Sequence, residues 1–117
     1  MLFLEYPPCS TCKKAKKWLD EHGINYTDRH IKEENPSYEE LKLWLEISGL
    51  PVKKFFNTSG LQYRALELKD KLPDMSVEKQ LQLLATDGML VKRPILINDN
   101  KKVLLGFKET EWTETLL

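Results

Sequence analysis

Leu2-Phe3-Leu4-Glu5-Tyr6-Pro7-Pro8-Cys9-Ser10-Thr11-Cys12-Lys13-Lys14-Ala15-Lys16-Lys17-Trp18-Leu19 is the stretch that decides the fold. Leu2-Phe3-Leu4 reads as a short strand, and Pro7 and Pro8 end its ladder because a proline has no N–H to donate. Ser10 or Thr11 is placed to cap a helix, whose apolar positions Ala15, Trp18 and Leu19 fall at i, i+3 and i+4. Gly23 is the C-terminal stop. Ile24-Asn25-Tyr26-Thr27 alternates apolar and polar residues, which predicts a half-exposed second strand. A strand, a helix and a strand in that order imply a right-handed crossover and a parallel pair.

Outward from that unit the chain turns helical. Ser37-Tyr38-Glu39-Glu40 has the pattern of a capping box, followed by Leu41, Trp44 and Leu45 on one face and stopped by Gly49-Leu50-Pro51. Val52 to Pro73 reads as short helical turns around Phe55-Phe56 and Ala65-Leu66. Ser76 starts a further helix that buries Val77, Leu81, Leu84 and Ala85 and stops at Asp87-Gly88. Ile95-Leu96-Ile97 and Val103-Leu104-Leu105 flank Asn98-Asp99-Asn100-Lys101-Lys102, a hairpin loop. Lys108 to Leu117 reads as a terminal helix. The expected fold is therefore an α/β, thioredoxin-like (glutaredoxin-like) βαβ…ββα arrangement with a helical block inserted between about residues 32 and 90. We expect one domain over 1–117, its core formed by 1–31 and 91–117 and its insertion by 32–90.

The bulk properties agree with such a domain. A chain of 117 residues hides roughly two-thirds of its extended surface on folding, enough for a core without disulfide staples or a structural metal. Lys and Arg total 18 and so do Asp and Glu, so the formal net charge is zero. That removes the whole-molecule basic field of a non-specific nucleic-acid binder. No apolar run approaches a membrane span, and the N-terminus lacks the basic region of a signal peptide. The expectation is a cytoplasmic monomer that contacts neither membrane nor nucleic acid directly.

In that setting the only two cysteines, Cys9 and Cys12, carry chemistry. A Cys-x-x-Cys between a first strand and a helix is a redox pattern. The unpaired N–H groups and positive end of the helix dipole stabilise a thiolate at Cys9. Cys12, one turn along, can attack a mixed disulfide on Cys9 and expel the bound partner, closing a Cys9–Cys12 disulfide. Zinc is the competing reading, but His22 and His30 lack the spacing of a partner pair. Two inert buried thiols are the other, and they fit poorly between Pro-Pro and a lysine-rich helix start. Lys13, Lys14, Lys16 and Lys17 read as a solvated face that biases the field at Cys9. Lys92-Arg93-Pro94-Ile95 is the second landmark. Thioredoxin-like folds commonly place a cis-proline here, facing the cysteines, where Pro94 would shape a substrate groove with Thr11; a trans proline that merely opens the strand is the other reading. Arg93 would then point a cation at Cys9, although taken alone it reads equally well as a surface arginine.

These residues resemble the arsenate reductase/Spx family of thioredoxin-like proteins over nearly the whole chain. The matching pieces are Tyr6-x-x-Cys9-Ser10-Thr11-Cys12-Lys13-Lys14-Ala15-x-x-Trp18-Leu19, Phe56-Asn57-Thr58, Lys92-Arg93-Pro94-Ile95 and Gly106-Phe107. They look most like the small Spx/MgsR-like branch. The resemblance implies an arsenate reductase-like thiol chemistry on a small oxyanion or disulfide, with Cys9 as nucleophile, Cys12 resolving and Arg93 assisting. It implies no bound cofactor and an external thiol donor such as glutathione, glutaredoxin or thioredoxin, hence a protein redox partner. Of three family arginines that hold the oxyanion, only Arg93 has a match: Ser59 stands at one position, and no arginine stands near Gly106-Phe107. Arg64 is the candidate replacement. The alternative implied by Spx is a redox-sensing regulator that binds the C-terminal domain of the RNA polymerase α subunit, with Gly49 at the contact. Gly49 also reads simply as a helix C-cap before Pro51.

Overall fold

The computed structural model describes residues 1–99 and 101–117. Its sheet has four strands, β1 (Leu2–Glu5), β2 (Thr27–His30), β3 (Ile95–Asn98) and β4 (Lys102–Leu105), in the order β2-β1-β3-β4. β1 and β2 are parallel across the helix α1 (Ser10–Glu21), while β1–β3 and β3–β4 are antiparallel. This is the expected βαβ…ββα thioredoxin-like arrangement. Between β2 and β3 run α2 (Tyr38–Ser48), a 3-10 turn Val52–Phe55, α3 (Leu61–Ala65), α4 (Leu68–Lys71), a 3-10 turn Leu72–Asp74, α5 (Val77–Leu84) and a 3-10 turn Gly88–Leu90. α6 (Glu109–Leu116) ends the chain.

Strand alternation sorts the core into two layers. Phe3, Leu96 and Leu104 face Ala15, Trp18 and Leu19 of α1 and Trp112 of α6. Leu4, Ile95, Ile97 and Val103 face the other way, onto Leu41, Trp44, Leu81 and Leu84 of the helical block. The two layers hold α1 and the block on opposite sides of the sheet. The Cys9 end of α1 then lies beyond the C-terminal end of β1, an inner strand.

Several elements form as their residues dictate. Ser37 accepts the Glu40 N–H at 3.1 Å while the Glu40 carboxylate accepts the Ser37 N–H at 3.0 Å, a complete capping box. Gly49 ends α2 in the left-handed region at φ 65°, where it has no Cβ penalty.

Other elements depart from expectation. The second strand lies at Thr27–His30, later than Ile24–Thr27. It is a polar edge strand fixed by its pairing with β1, continued by the Thr27 N–H to Met1 O and Ile31 N–H to Glu5 O bonds, each 2.8 Å. Ile24 and Tyr26 instead pack against the Phe3 layer. The N-cap of α1 is Cys9, not Ser10 or Thr11, because Ser10 already lies in the first turn. In α5, Val77 is exposed and Ala85 is only partly buried, and Gln80 takes an inward place by donating to the Leu72 and Met75 carbonyls. α5 itself ends at Leu84, and Asp87 caps the following 3-10 turn. The predicted hairpin loop is shorter, since Asn98 and Lys102 belong to the strands, and its Asn100 lies outside the described residues.

Candidate functional site

Cys9 occupies the N-cap of α1 with extended backbone (φ −73°, ψ 124°), and its N–H donates to Tyr6 O at 2.9 Å, which fixes the Pro7-Pro8 turn above the strand end. Both thiols are free, Cys9 partly exposed and Cys12 fully buried. Burial raises the Cys9 pKa, but opposing contacts outweigh it. The Cys12 N–H and thiol, the Thr11 N–H and the Arg93 guanidinium all favour the anion, and the thiol ends below its ordinary value. Cys12 goes the other way. Burial pushes it up to about 12, helped by the neighbouring Cys9 and resisted by the Tyr6 N–H and Arg93. Two identical groups one helical turn apart are thus made chemically unlike: an accessible thiol of lowered pKa and a dry one of raised pKa.

The cation that Cys9 feels comes from the far end of the chain. The Arg93–Pro94 peptide is cis, as expected. Arg93 projects over the Tyr6 ring, its guanidinium carbon 5.1 Å from the centroid, and donates to the Met89 carbonyl at 3.5 Å. Two of the α1 lysines are engaged by carboxylates. Lys16 is drawn 2.7 Å from Asp28 and 3.5 Å from Glu5, and Lys17 lies 3.7 Å from Glu21.

A cleft of about 720 Å³ opens on Cys9 and is walled by Thr11, Arg93, the Asn57–Gln62 loop and Gly106–Phe107. Both parts of the chain build it: one wall comes from the helical block and the other from the strand ends. Of the expected site residues, Cys9, Thr11 and Arg93 line the cleft, whereas Cys12 and Pro94 lie buried behind it. The Pro94 carbonyl accepts the Gly106 N–H at 2.8 Å, which extends the β3–β4 pairing within the strand-end wall. Ser59 lines the cleft, and exposed Arg64 does not, so Arg64 is not placed to replace a missing arginine. Arg93 is the one arginine there, and Lys32, Lys92 and Lys108 also line the cleft. The Lys92-Arg93 doublet and the lysine after Gly106-Phe107 were visible signals. Lys32, placed by the turn after β2, had none.

Among the described residues no cluster of His, Cys, Asp and Glu could hold a metal ion, and no helix is long and apolar enough to cross a membrane.

The chain is 58% identical to the uncharacterized protein YusI of Bacillus subtilis over 97% of its own length and 96% of YusI. It is 35% identical to the regulatory protein MgsR of the same organism, over 95% of its length and 86% of MgsR. A crystal structure of an ArsC-family-related protein from Bacteroides fragilis superposes with a TM-score of 0.93 at 59% identity, covering 97% of this chain and 94% of that one. The ArsC family model matches residues 4–115, so the whole site just described lies inside the match, and the chain belongs to the ArsC family.

Proposed function

We propose that this protein is a thiol–disulfide oxidoreductase acting through Cys9 and Cys12. The observation that carries the reading is the opposed acidity of two thiols one turn apart, with only the acidic one facing the cleft. The Cys9 thiolate attacks one sulfur of a substrate disulfide, forming a mixed disulfide and releasing the other sulfur as a thiolate. Burial is the main cause of the raised Cys12 pKa, and capping Cys9 in this way removes the further rise due to its negative charge, while Arg93 still lowers it. Cys12 then loses its proton and attacks the Cys9 sulfur, so the second half of the substrate leaves with that proton as a thiol. The product is a Cys9–Cys12 disulfide, and an external dithiol returns both cysteines to the reduced form. Arg93 favours the Cys9 thiolate, and Thr11 and cis-Pro94 shape the groove. In this reading 1–117 works as one domain, with 32–90 inserted into the core.

The test is dithiothreitol-dependent reduction of bis(2-hydroxyethyl) disulfide. Cys9→Ser abolishes turnover, and Cys12→Ser stops at a mixed disulfide visible by mass spectrometry. Turnover that survives Cys9→Ser would overturn the assignment.

The likeness to MgsR supports a second reading, a redox-sensing regulator. There the same disulfide changes affinity for a protein such as the RNA polymerase α subunit. A pull-down with that subunit's C-terminal domain separates the two, because a switch binds in one redox state and shows no turnover.

A further inference from the structure

The cleft around Cys9 is strongly cationic within a chain of zero net charge. Lys32, Lys92, Arg93 and Lys108 line it against one carboxylate, Asp87, which already accepts the Met89 N–H at 2.8 Å. Among the described residues none of these lysines is held in an ion pair. The positive surface runs on: Lys92 and Lys108 also line a neighbouring groove with Lys53 and Lys54, where Glu111 is the one acid. Unpaired like charges gathered on a concave wall raise the local concentration of anions.

The size and type of these cations indicate what kind of anion fits. A tetrahedral oxyanion takes the space of about two or three waters, a small part of a cleft of about 720 Å³. It is best gripped by convergent arginine forks, of which this cleft has one. Three lysines are flexible point charges spread along the walls. They suit a longer ligand whose negative groups stand some distance from its reacting sulfur.

Resting on the oxidoreductase reading, we propose that the cleft selects disulfides flanked by carboxylates, such as an acidic cysteine-containing peptide, with Lys32, Lys92 and Lys108 holding the carboxylates while Cys9 takes one sulfur. The leaving sulfur departs as the thiolate of the same anionic compound, and dithiothreitol supplies the two electrons for the next cycle.

Three small disulfides test this: 3,3′-dithiodipropionate (dianion), bis(2-hydroxyethyl) disulfide (neutral) and cystamine (dication). Each rate is divided by that of free 2-mercaptoethanol with the same disulfide, which cancels leaving-group differences. We expect the dianion to exceed the neutral compound by about tenfold at low salt, with cystamine slowest and the gap closing towards 0.5 M salt, roughly the regime of full screening. The double variant Lys92→Gln/Lys108→Gln brings the dianion-to-neutral ratio towards one. Lys42→Gln, on α2 and outside the cleft, leaves that ratio unchanged. The stoichiometric rate of Cys9 modification by each disulfide is read beside turnover. Equal normalised rates for the three compounds overturn the proposal while leaving the oxidoreductase reading intact. A dianion preference in Cys9 modification without turnover upholds the proposal and sinks that reading.

Discussion

Cys9 and Cys12 share a chemistry and a helix turn, and what separates them is the set of groups facing each sulfur. Cys9 gains two backbone N–H groups and a guanidinium, whereas Cys12 gains chiefly burial. Arg93 is held for this by the Tyr6 ring and the Met89 carbonyl. Replacing Arg93 with Gln should raise the Cys9 pKa, read as thiolate absorbance against pH. An unchanged titration would mean that the helix N–H groups suffice. Glu5 gives a second prediction. It is buried on β1, one oxygen without a hydrogen-bond partner, and burial reinforced by Asp28 raises its pKa from 4.5 to about 7 against the pull of Lys16. A carboxyl that ionises later in the folded chain than in the unfolded one costs stability as pH rises from about 4.5 to 7, then no more. Glu5→Gln should therefore match the native protein near pH 4 and exceed it near pH 8, by on the order of 1–3 kcal/mol in urea unfolding. The cysteine pair was legible from its spacing alone. The roles of Glu5 and Tyr6 were not, because they depend on which atoms lie opposite in space.

At the scale of elements, the helices with local signals were readable and the strand without one was not. Ser37 and Glu40 announce α2 through bonds between residues three apart, so the capping box is written in the sequence itself. β2 carries Thr-Asp-Arg-His, with no apolar alternation, because its side chains are occupied by charge. Asp28 meets Lys16, and Arg29 forms a bidentate pair with Glu40 at 2.6 and 3.0 Å. Its position is decided by the register with β1, which no window of sequence contains. The turn after α5 depends on a similar long-range fit. A Cβ on Gly88 would stand 1.8 Å from the Ile31 carbonyl oxygen, inside the backbone that follows β2. That oxygen cannot move without shifting the strand end. Gly88→Ala should destabilise the protein by on the order of 3 kcal/mol or more in chemical denaturation. It should also weaken the Cys9 pKa shift, since Met89, the next residue, holds Arg93. Ser37→Ala serves as the comparison: a loss of about 1 kcal/mol with Cys9 unaffected.

For the whole molecule, the two ends of the chain share a core with the inserted block and converge with it again at the cleft, whose charge is set there. Trp112 in α6 donates to the Gly106 carbonyl at 3.2 Å and packs edge-on against Phe3, Trp18 and Phe107, which fixes the wall that carries Lys108. The arrangement bears on arsenate. Efficient transfer from a tetrahedral oxyanion needs donors converging on the positions its oxygens take as charge develops. Arg93 and the N–H groups at the start of α1 are the donors closest to Cys9, and the lysines are compact charges without the planar fork that matches an oxyanion. Arsenate should therefore dock weakly and be reduced slowly or not at all in a dithiol-coupled assay. Ser59 lines the same cleft as Cys9, within which a longer cation would add a donor. Ser59→Arg should raise the affinity for arsenate or phosphate, measured by calorimetry, by roughly the tenfold or more that a charged hydrogen bond of about 1.5–3 kcal/mol confers. Robust arsenate turnover by the unmodified protein would show that Lys32, Lys92 and Lys108 can replace the missing forks, and Lys92→Gln would then be the variant that removes it.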